Sequence, residues 1–314
     1  MNDTALPVVR EDGIVTGEVR PLLFPLTLHM IGCATAEEMN ANVDQTRARG
    51  YTGIIDLLDV AGSGDLSIVG SGPSLRETLH DIRGDVLAIN QAIGYLLDNG
   101  IVPRWAMLWD AAEIVEQFAV PHPDITYLVA ARCHPKVFER LSGCKVRVWF
   151  AGGDHNISEY MVRHELPDPL VNGGSAGVTR ALYLGTCLGY KNLHVFGADS
   201  SYADDGSTHV VRSLVQEKDF HCWIGNGSGK KVFRTTPEWC SQVNEFRDIY
   251  HLFSNPRINI GITVHGAGML PHMWALMEAR KHAGKLWNAD GSPYNPGEDV
   301  AASYKTAKEG VAQC

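Results

Sequence analysis

From Leu66 onward, short apolar runs alternate with stretches that carry apolar residues at helical spacing. The runs Leu66–Val69, Val86–Ile89, Trp105–Trp109, Ile125–Ala130, Val146–Phe150 and Leu193–Phe196 predict strands. Between them, Leu75–Ile82, Ala92–Leu97, Ala111–Phe118, Lys136–Leu141 and Ala176–Leu188 predict helices. Continuously apolar strands separated by helices fit a parallel sheet covered on both faces, because neither side of such a strand meets water. The expected fold class is therefore α/β, a doubly wound and mostly parallel sheet. Ligands in such sheets bind outside the carboxyl ends of the strands.

The flanks read differently. Residues 1–30 are punctuated by proline and form an arm in which Leu22-Leu23-Phe24 would pack. Thr35 is placed to cap a helix reaching Arg49, with Glu37 and Glu38 in its first turn. Beyond Asp199, Phe220–Ile224 and Lys231–Arg234 read as a hairpin around the tip Gly225–Gly229. Thr236-Pro237 opens a helix whose apolar stripe runs Trp239, Cys240, Val243, Phe246, Ile249, Tyr250 and Phe253. Ile258, Ile260, Ile262 and Val264 alternate as a strand, and a last helix is expected over Pro271–His282. The expected division is an arm and helix over 1–60, a core domain over 61–285 with this hairpin, helix and strand as its C-terminal extension, and a tail over 286–314.

Composition narrows the function. The chain has 314 residues, 45% hydrophobic and 20% charged, which suffices for a large buried core. Its formal charge of -9 argues against a protein that coats nucleic acid, which needs a basic excess to neutralise phosphates. No apolar run is long enough to span a bilayer, and Met1-Asn2-Asp3-Thr4 begins no basic-then-apolar leader. Seven scattered cysteines without a Cys-x-x-Cys pair read as reduced thiols, so a cytoplasmic location is expected. The thirteen histidines include no zinc-type spacing. Trp223, Trp239, Trp274 and Trp287 are candidates for a contact between copies of the chain. The 32 glycines, about one residue in ten against ~7% on average, make their positions worth locating.

The informative glycines fall at strand ends. Gly70-Ser71-Gly72-Pro73-Ser74 follows the first core strand and opens a helix, a setting where backbone N–H groups can meet an anion. It is not a dinucleotide fingerprint, since Leu75 stands where the third glycine would fall, and NAD is disfavoured. Nor is Gly-Ser-Gly-Lys in the hairpin a Walker loop, since Lys231 follows Lys230. Asn90-Gln91 ends the second strand and offers amides to a base or ribose, or simply caps a helix. Asp110 follows the third strand, where an acid either binds Mg²⁺ or caps a helix. Gly173-Gly174-Ser175-Ala176-Gly177 begins a second glycine-rich helix, with Ser175 as a donor. Gly197-Ala198-Asp199 closes a further strand, and His209 lies ten residues beyond Asp199 as a candidate general base, although a structural histidine is the commoner case.

These segments carry a resemblance. Ile68–Leu75 (IVGSGPSL), Gly100–Pro103 leading to Asp110, and Ser175–Tyr202 are similar to the 6-hydroxymethylpterin diphosphokinase MptE-like family. So are Val232–Thr236 and Val264–Gly268, and the match runs over about residues 35–270. The resemblance implies a Rossmann-like domain, ATP with Mg²⁺, and diphosphate transfer to a hydroxymethyl group. In that reading Gly70, Ser71, Gly72, Pro73 and Ser74 hold the donor phosphates, Asp110 and Asp199 are the metal-linked acids, and His209 sits at the mouth. The same order also resembles the bacterial CMP-sialic acid sialyltransferases. There Asn90, Gly174, Ser175 and Gly177 would meet the nucleotide of a CMP-sugar, Tyr202 its phosphate, and His209 or His221 would deprotonate the acceptor. Ser71 departs from that family's Gly-Asn-Gly-Pro-Ser, which makes sugar transfer the second expectation. A non-catalytic nucleotide-binding module, with the acids merely capping helices, is the third.

Overall fold

The computed structural model describes residues 8–9, 15–16, 34–60, 64–152, 157–211, 219–225 and 230–286. The first elements are an antiparallel ribbon, β1 (Val8–Val9) with β2 (Val15–Thr16), and helix α1 (Ala36–Ala48). The alternation then runs β3 (Asp65–Val69), α2 (Leu75–Thr78), β4 (Asp85–Ile89), α3 (Ala92–Asp98) and β5 (Trp105–Leu108). It continues through β6 (Thr126–Ala130), α4 (Pro135–Arg140), β7 (Lys145–Ala151), α5 (Ile157–Arg163) and β8 (Leu170–Val171). Helix α6 (Gly177–Cys187) and β9 (Asn192–Phe196) follow. The hairpin β10 (Phe220–Ile224) and β11 (Lys231–Thr235), helix α7 (Pro237–Phe253), β12 (Gly261–Val264) and α8 (Met269–His282) complete the chain.

Eight strands form one parallel sheet in the order β12-β9-β3-β4-β5-β6-β7-β8. This is a Rossmann-like α/β architecture. The chain winds outward from β3 to β8, then returns to place β9 on the other side of β3. That reversal puts the topological switch point between β3 and β9. Their register pairs Leu66 with Leu193, Ile68 with Val195 and Val69 with Phe196, so the loops that follow both strands leave the sheet side by side.

Local chemistry explains the boundaries. The Thr35 hydroxyl accepts the Glu38 N–H at 3.1 Å while the Glu38 carboxylate accepts the Thr35 N–H at 2.7 Å, a reciprocal cap that starts α1. The Thr236 side chain accepts the Trp239 N–H at 3.3 Å, and Pro237 fills the first position of α7, where its missing N–H costs nothing. The strand interiors are dry: Leu66, Ile68, Leu87, Met107, Tyr127 and Trp149 are fully buried.

Several expected elements change. Leu75–Ile82 divides into the four-residue α2 and a 3-10 turn at Leu79–Asp81, and Ala111–Phe118 is a 3-10 helix over Glu113–Phe118. The strand expected from Ile258 begins only at Gly261, because Ile258 and Asn259 are held in a turn by the Asn255 carbonyl. Helix α5 and strand β8 had no clear periodic signal. Two of the tryptophans nominated for a contact between copies have partners within the chain. Trp274 Nε1–H donates to the Ile262 carbonyl at 3.0 Å, and Trp239 meets the Tyr202 ring edge-on at 5.4 Å. Trp223 lies under the Lys230 ammonium at 4.1 Å, and Trp287 lies outside the described residues. So do Leu22–Phe24, the hairpin tip at 226–229 and the tail. Five cysteines (133, 144, 187, 222 and 240) are free thiols. No described helix is long and apolar enough to cross a membrane.

One interior hydrogen bond tests this core. Trp105 Nε1–H donates at 2.9 Å to the hydroxyl of Tyr190, which in turn donates to the Asp85 carboxylate. Tyr190→Phe leaves the buried indole N–H unpaired and is expected to cost about 1–2 kcal/mol in urea unfolding, with the native circular dichroism unchanged. No loss would mean that the indole finds another acceptor.

Candidate functional site

The two loops at the switch point press backbone against backbone. The Gly70 N–H donates to the Phe196 carbonyl at 2.9 Å and the Gly72 N–H to the Gly197 carbonyl at 2.7 Å. A Cβ on Gly72 would lie 1.9 Å from Asp199 Oδ2 and 2.8 Å from the Gly197 oxygen, so no side chain fits there. The Ser74 N–H, at the start of α2, donates to Asp199 Oδ1 at 3.0 Å. This corrects the open phosphate cradle expected at Gly70–Ser74. Three of its N–H groups are consumed within the protein, Gly70 and Gly72 by carbonyls and Ser74 by Asp199, so the anion at the start of α2 is the chain's own. Burial pushes the Asp199 carboxyl up to about 6, against hydrogen bonding from Ser74 that lowers it.

The second glycine-rich helix start is also filled from within. The Ser175 N–H donates to both carboxylate oxygens of Glu245 at 2.9 Å, and the Ser175 hydroxyl donates to Oε1 at 2.8 Å. Thr179 adds its hydroxyl to Oε2 at 3.3 Å. A Cβ on Gly174 would stand 1.9 Å from Oε2, so this glycine admits the carboxylate. Gly174 and Ser175, expected at a nucleotide, are therefore engaged with Glu245. The sequence offered one clue to that residue: Trp239, Gln242 and Glu245 recur every third position along α7.

Between these features lies a cavity of about 160 Å³ at the switch point. Its floor comes from Gly70–Gly72, Asn90 and Asp199–Ser201, and one side from Ala176, Gly177 and Val178 in the first turn of α6. Thr208, His209, Trp239 and Gln242 close it, and among the described residues no lysine or arginine lines it. Buried polar atoms without a hydrogen-bond partner in the protein gather here: Asn90 Oδ1, Asp199 Oδ2 and Ser200 Oγ. Each such atom costs about 1–3 kcal/mol if left unsatisfied. Asn90 and Ser200 also hold left-handed backbone, with φ of 46° and 51°, which non-glycine residues adopt rarely. Unpaired polar atoms and strained backbone concentrated at one cavity make it the candidate site.

His209 is anchored over this cavity. The Val210 N–H donates to the Ser71 carbonyl at 2.8 Å, and the Arg76 guanidinium donates to the His209 and Val210 carbonyls at 3.1 and 3.2 Å. Its Nδ1 lies 3.0 Å from the Thr208 hydroxyl, and burial lowers its pKa, so the ring is neutral at pH 7. A second cavity, about 700 Å³, lies toward the hairpin. Asp199 and Ser201 border both cavities, whereas Pro73, Ser74, Tyr202 and His221 border only the larger. The Tyr202 ring is covered by the Arg234 guanidinium at 4.1 Å.

Asp110 does not join this group. Its Oδ1 accepts the Ala112 N–H at 3.1 Å, and it follows β5, three strands from β9 in the sheet. At about 4.8 Å per strand the ends of β5 and β9 are separated by roughly 14 Å, too far for Asp110 and Asp199 to ligate one ion. Among the described residues no group of three or more His, Cys, Asp or Glu side chains could hold a metal. The structure thus gathers Gly70, Ser71, Gly72, Asn90, Gly177, Asp199 and His209 around one cavity. Tyr202, Pro73 and Ser74 belong to its neighbour, and Asp110 to neither.

A parallel sheet with a polar cavity at its switch point defines the Rossmann-like α/β class. The chain belongs to the 6-hydroxymethylpterin diphosphokinase MptE-like family, which matches residues 39–205. The Maf glycosyltransferase of Magnetospirillum magneticum AMB-1 shares the fold, with a TM-score of 0.53 and 18% identity over 81% of this chain and 43% of that one. The chain thus spans less than half the length of that relative. A mammalian sialyltransferase aligns over 74% of this chain and 79% of its own at 12% identity, with a TM-score of 0.38 that is too low to bear on the site. No curated protein matches the sequence.

Asp199 makes stability depend on pH. Its folded carboxyl titrates near 6 against 3.8 unperturbed, so the native state holds the proton more tightly than the unfolded chain. That contribution is complete below about pH 4 and is lost as the pH rises through 6. Ionising the buried group therefore costs on the order of 3 kcal/mol at pH 7.5. Asp199→Asn is expected to melt above wild type at pH 7.5, with the gap shrinking toward pH 4, as read by calorimetry. A variant that melts lower at pH 7.5 would show that the carboxylate is stabilising there.

Proposed function

We propose that the protein transfers a sugar from a nucleoside-monophosphate-activated donor, of the CMP-sugar type, to an acceptor hydroxyl. The observation that carries this reading is the charge of the switch-point cavity. Among the described residues it holds hydroxyls, amides, backbone groups, one neutral histidine and one carboxylate, with no lysine or arginine. A triphosphate carries several negative charges and calls for cations around it. The phosphodiester of a nucleoside-monophosphate sugar carries a single negative charge, which helix N–H groups and hydroxyls can serve. The choice of cytidine rests on the sialyltransferase resemblance of the sequence.

Magnesium was the alternative supply of positive charge, and the donor set fits it poorly. Of the two acids nominated for it, only Asp199 borders the cavity. That leaves Mg²⁺-dependent diphosphate transfer from ATP as the second reading, favoured by the unpartnered Asp199 Oδ2, which could serve as a single ligand.

In the sugar-transfer reading, the donor occupies the smaller cavity and the acceptor enters through the larger. Asp199 borders both, so it is placed to take the acceptor's proton as the acceptor oxygen bonds to the anomeric carbon. The bond between that carbon and the phosphate oxygen breaks, and its electron pair leaves with the nucleotide. His209, neutral and facing the donor, can give a ring N–H to the departing phosphate.

Thermal shift tests the donor class directly. CMP is expected to raise Tm by a few degrees at saturating concentration, equally with Mg²⁺ or EDTA, because a ligand of the native state stabilises it by mass action. A response to ATP that needs Mg²⁺, without one to CMP, would overturn the proposal in favour of diphosphate transfer. Silence toward every nucleotide would leave a non-catalytic module. Where CMP binds, Asp199→Asn should keep that binding and lose about 10²–10⁴-fold in transfer rate, the usual worth of a general base.

A further inference from the structure

We infer that Glu245 is a positioning residue: its carboxylate grips the entry to α6 at Ser175 and Thr179 and thereby fixes the face of α7 that walls the donor cavity. The inference rests on the reading that this cavity takes a nucleotide, but its first test does not.

Three observations converge on Glu245. It accepts three hydrogen bonds from Ser175 and a longer one from Thr179, all from the first turn of one helix and the residues before it. A negative charge at that helix end also meets the positive end of the helix dipole. Gly174 leaves the space into which the carboxylate fits, since a Cβ there would overlap Oε2. Finally, Trp239, Gln242 and Glu245 follow one another at three-residue intervals, so they share a face of α7. The first two line the donor cavity and the third is tied to α6. Rotating or sliding α7 would break the Glu245 contacts and move both cavity residues together.

Glu245 is not standing in the ligand's place. The cavity wall on the α6 side begins at Ala176 and continues through Gly177 and Val178, while Gly174, Ser175 and Glu245 lie outside it. The carboxylate therefore takes the N–H of Ser175, one residue before the Ala176 cap, and leaves the first-turn N–H groups of α6 to face the cavity. It also keeps a phosphate from settling at Ser175, where two negative charges would meet.

The test uses Glu245→Ala, Glu245→Gln and Gly174→Ala in the full chain. Hydrogen exchange of the ligand-free protein comes first. Glu245→Ala is expected to speed exchange about tenfold over residues 237–246 and to leave β3, β4 and β9 unchanged. Glu245→Gln keeps a carbonyl oxygen for the Ser175 N–H and should restore protection. Gly174→Ala keeps the glutamate but displaces it, and should behave like the alanine variant, which guards against a Glu245→Ala protein that does not fold. Unchanged protection in both Glu245→Ala and Gly174→Ala would overturn the inference whatever the protein binds.

CMP affinity is the second readout. Glu245→Ala and Gly174→Ala are expected to weaken it about tenfold or more, and Glu245→Gln to stay near wild type. Tighter binding of CMP or inorganic phosphate by Glu245→Ala would instead mean that the carboxylate occupies a phosphate position, and would also overturn the inference. A wild-type protein that ignores CMP would defeat the functional reading alone, because the exchange result stands without it.

Discussion

The close approach of the β3 and β9 loops is the constraint on which the rest of the site depends. Parallel strands from distant parts of the chain meet at the switch point, and their backbones stay in hydrogen-bonded contact beyond the last paired residues. That contact leaves room for glycine alone at position 72 and delivers Asp199 to the start of α2. Once Asp199 is there, its second oxygen is left unpartnered, its carboxyl is pushed toward neutral pH, and it becomes the wall between two cavities. Geometry, electrostatics and the proposed chemistry thus follow from one packing decision between two loops.

A related economy governs the charge of the site. Two helix N-termini approach the cavity, and each receives a carboxylate of the protein itself, Asp199 at α2 and Glu245 at α6. In an acidic chain this disposes of two potential anion sites before any ligand arrives. What stays open is the first turn of α6 around Gly177, together with the hydroxyls and amides of the loops. Among the described residues, such a cavity meets an anion with dipoles rather than with cations.

The sheet was readable in the sequence because burial on both faces leaves a continuous apolar signature. Each of the six core strands expected from β3 to β9 lies within two residues of its observed bounds. The glycine motifs were readable as special positions, but their purpose was not. Gly72 and Gly174 looked like backbone cleared for a phosphate, whereas each clears space for a carboxylate from 71 to 127 residues further along the chain. Sequence spacing carries no information about which distant side chain a helix end will receive. The same limit paired Asp110 with Asp199: both follow apolar strands, but only the strand order, fixed by tertiary packing, separates them by three positions. Glu245 passed unnoticed because a lone glutamate on an amphipathic helix reads as solvent-facing.

The arrangement also bears on why a folded protein would tolerate so much local cost. Three unpaired buried atoms and two left-handed non-glycine residues sit around one small cavity, and an ionised Asp199 adds to them near neutral pH. Nothing in the sheet requires this expense, since β3, β4 and β9 are already held by paired backbone and a dry core. Relieving it by substitution would stabilise the fold and remove the groups that could meet a ligand. A ligand whose polar atoms satisfy those groups recovers the cost on binding, and it recovers most when the groups are already fixed in place. The hydrogen bonds that hold the two loops together, the clamp of Glu245 on α6 and the tether of His209 and Val210 to Arg76 and Ser71 all serve that end: they keep the unsatisfied groups from collapsing onto one another when the cavity is empty.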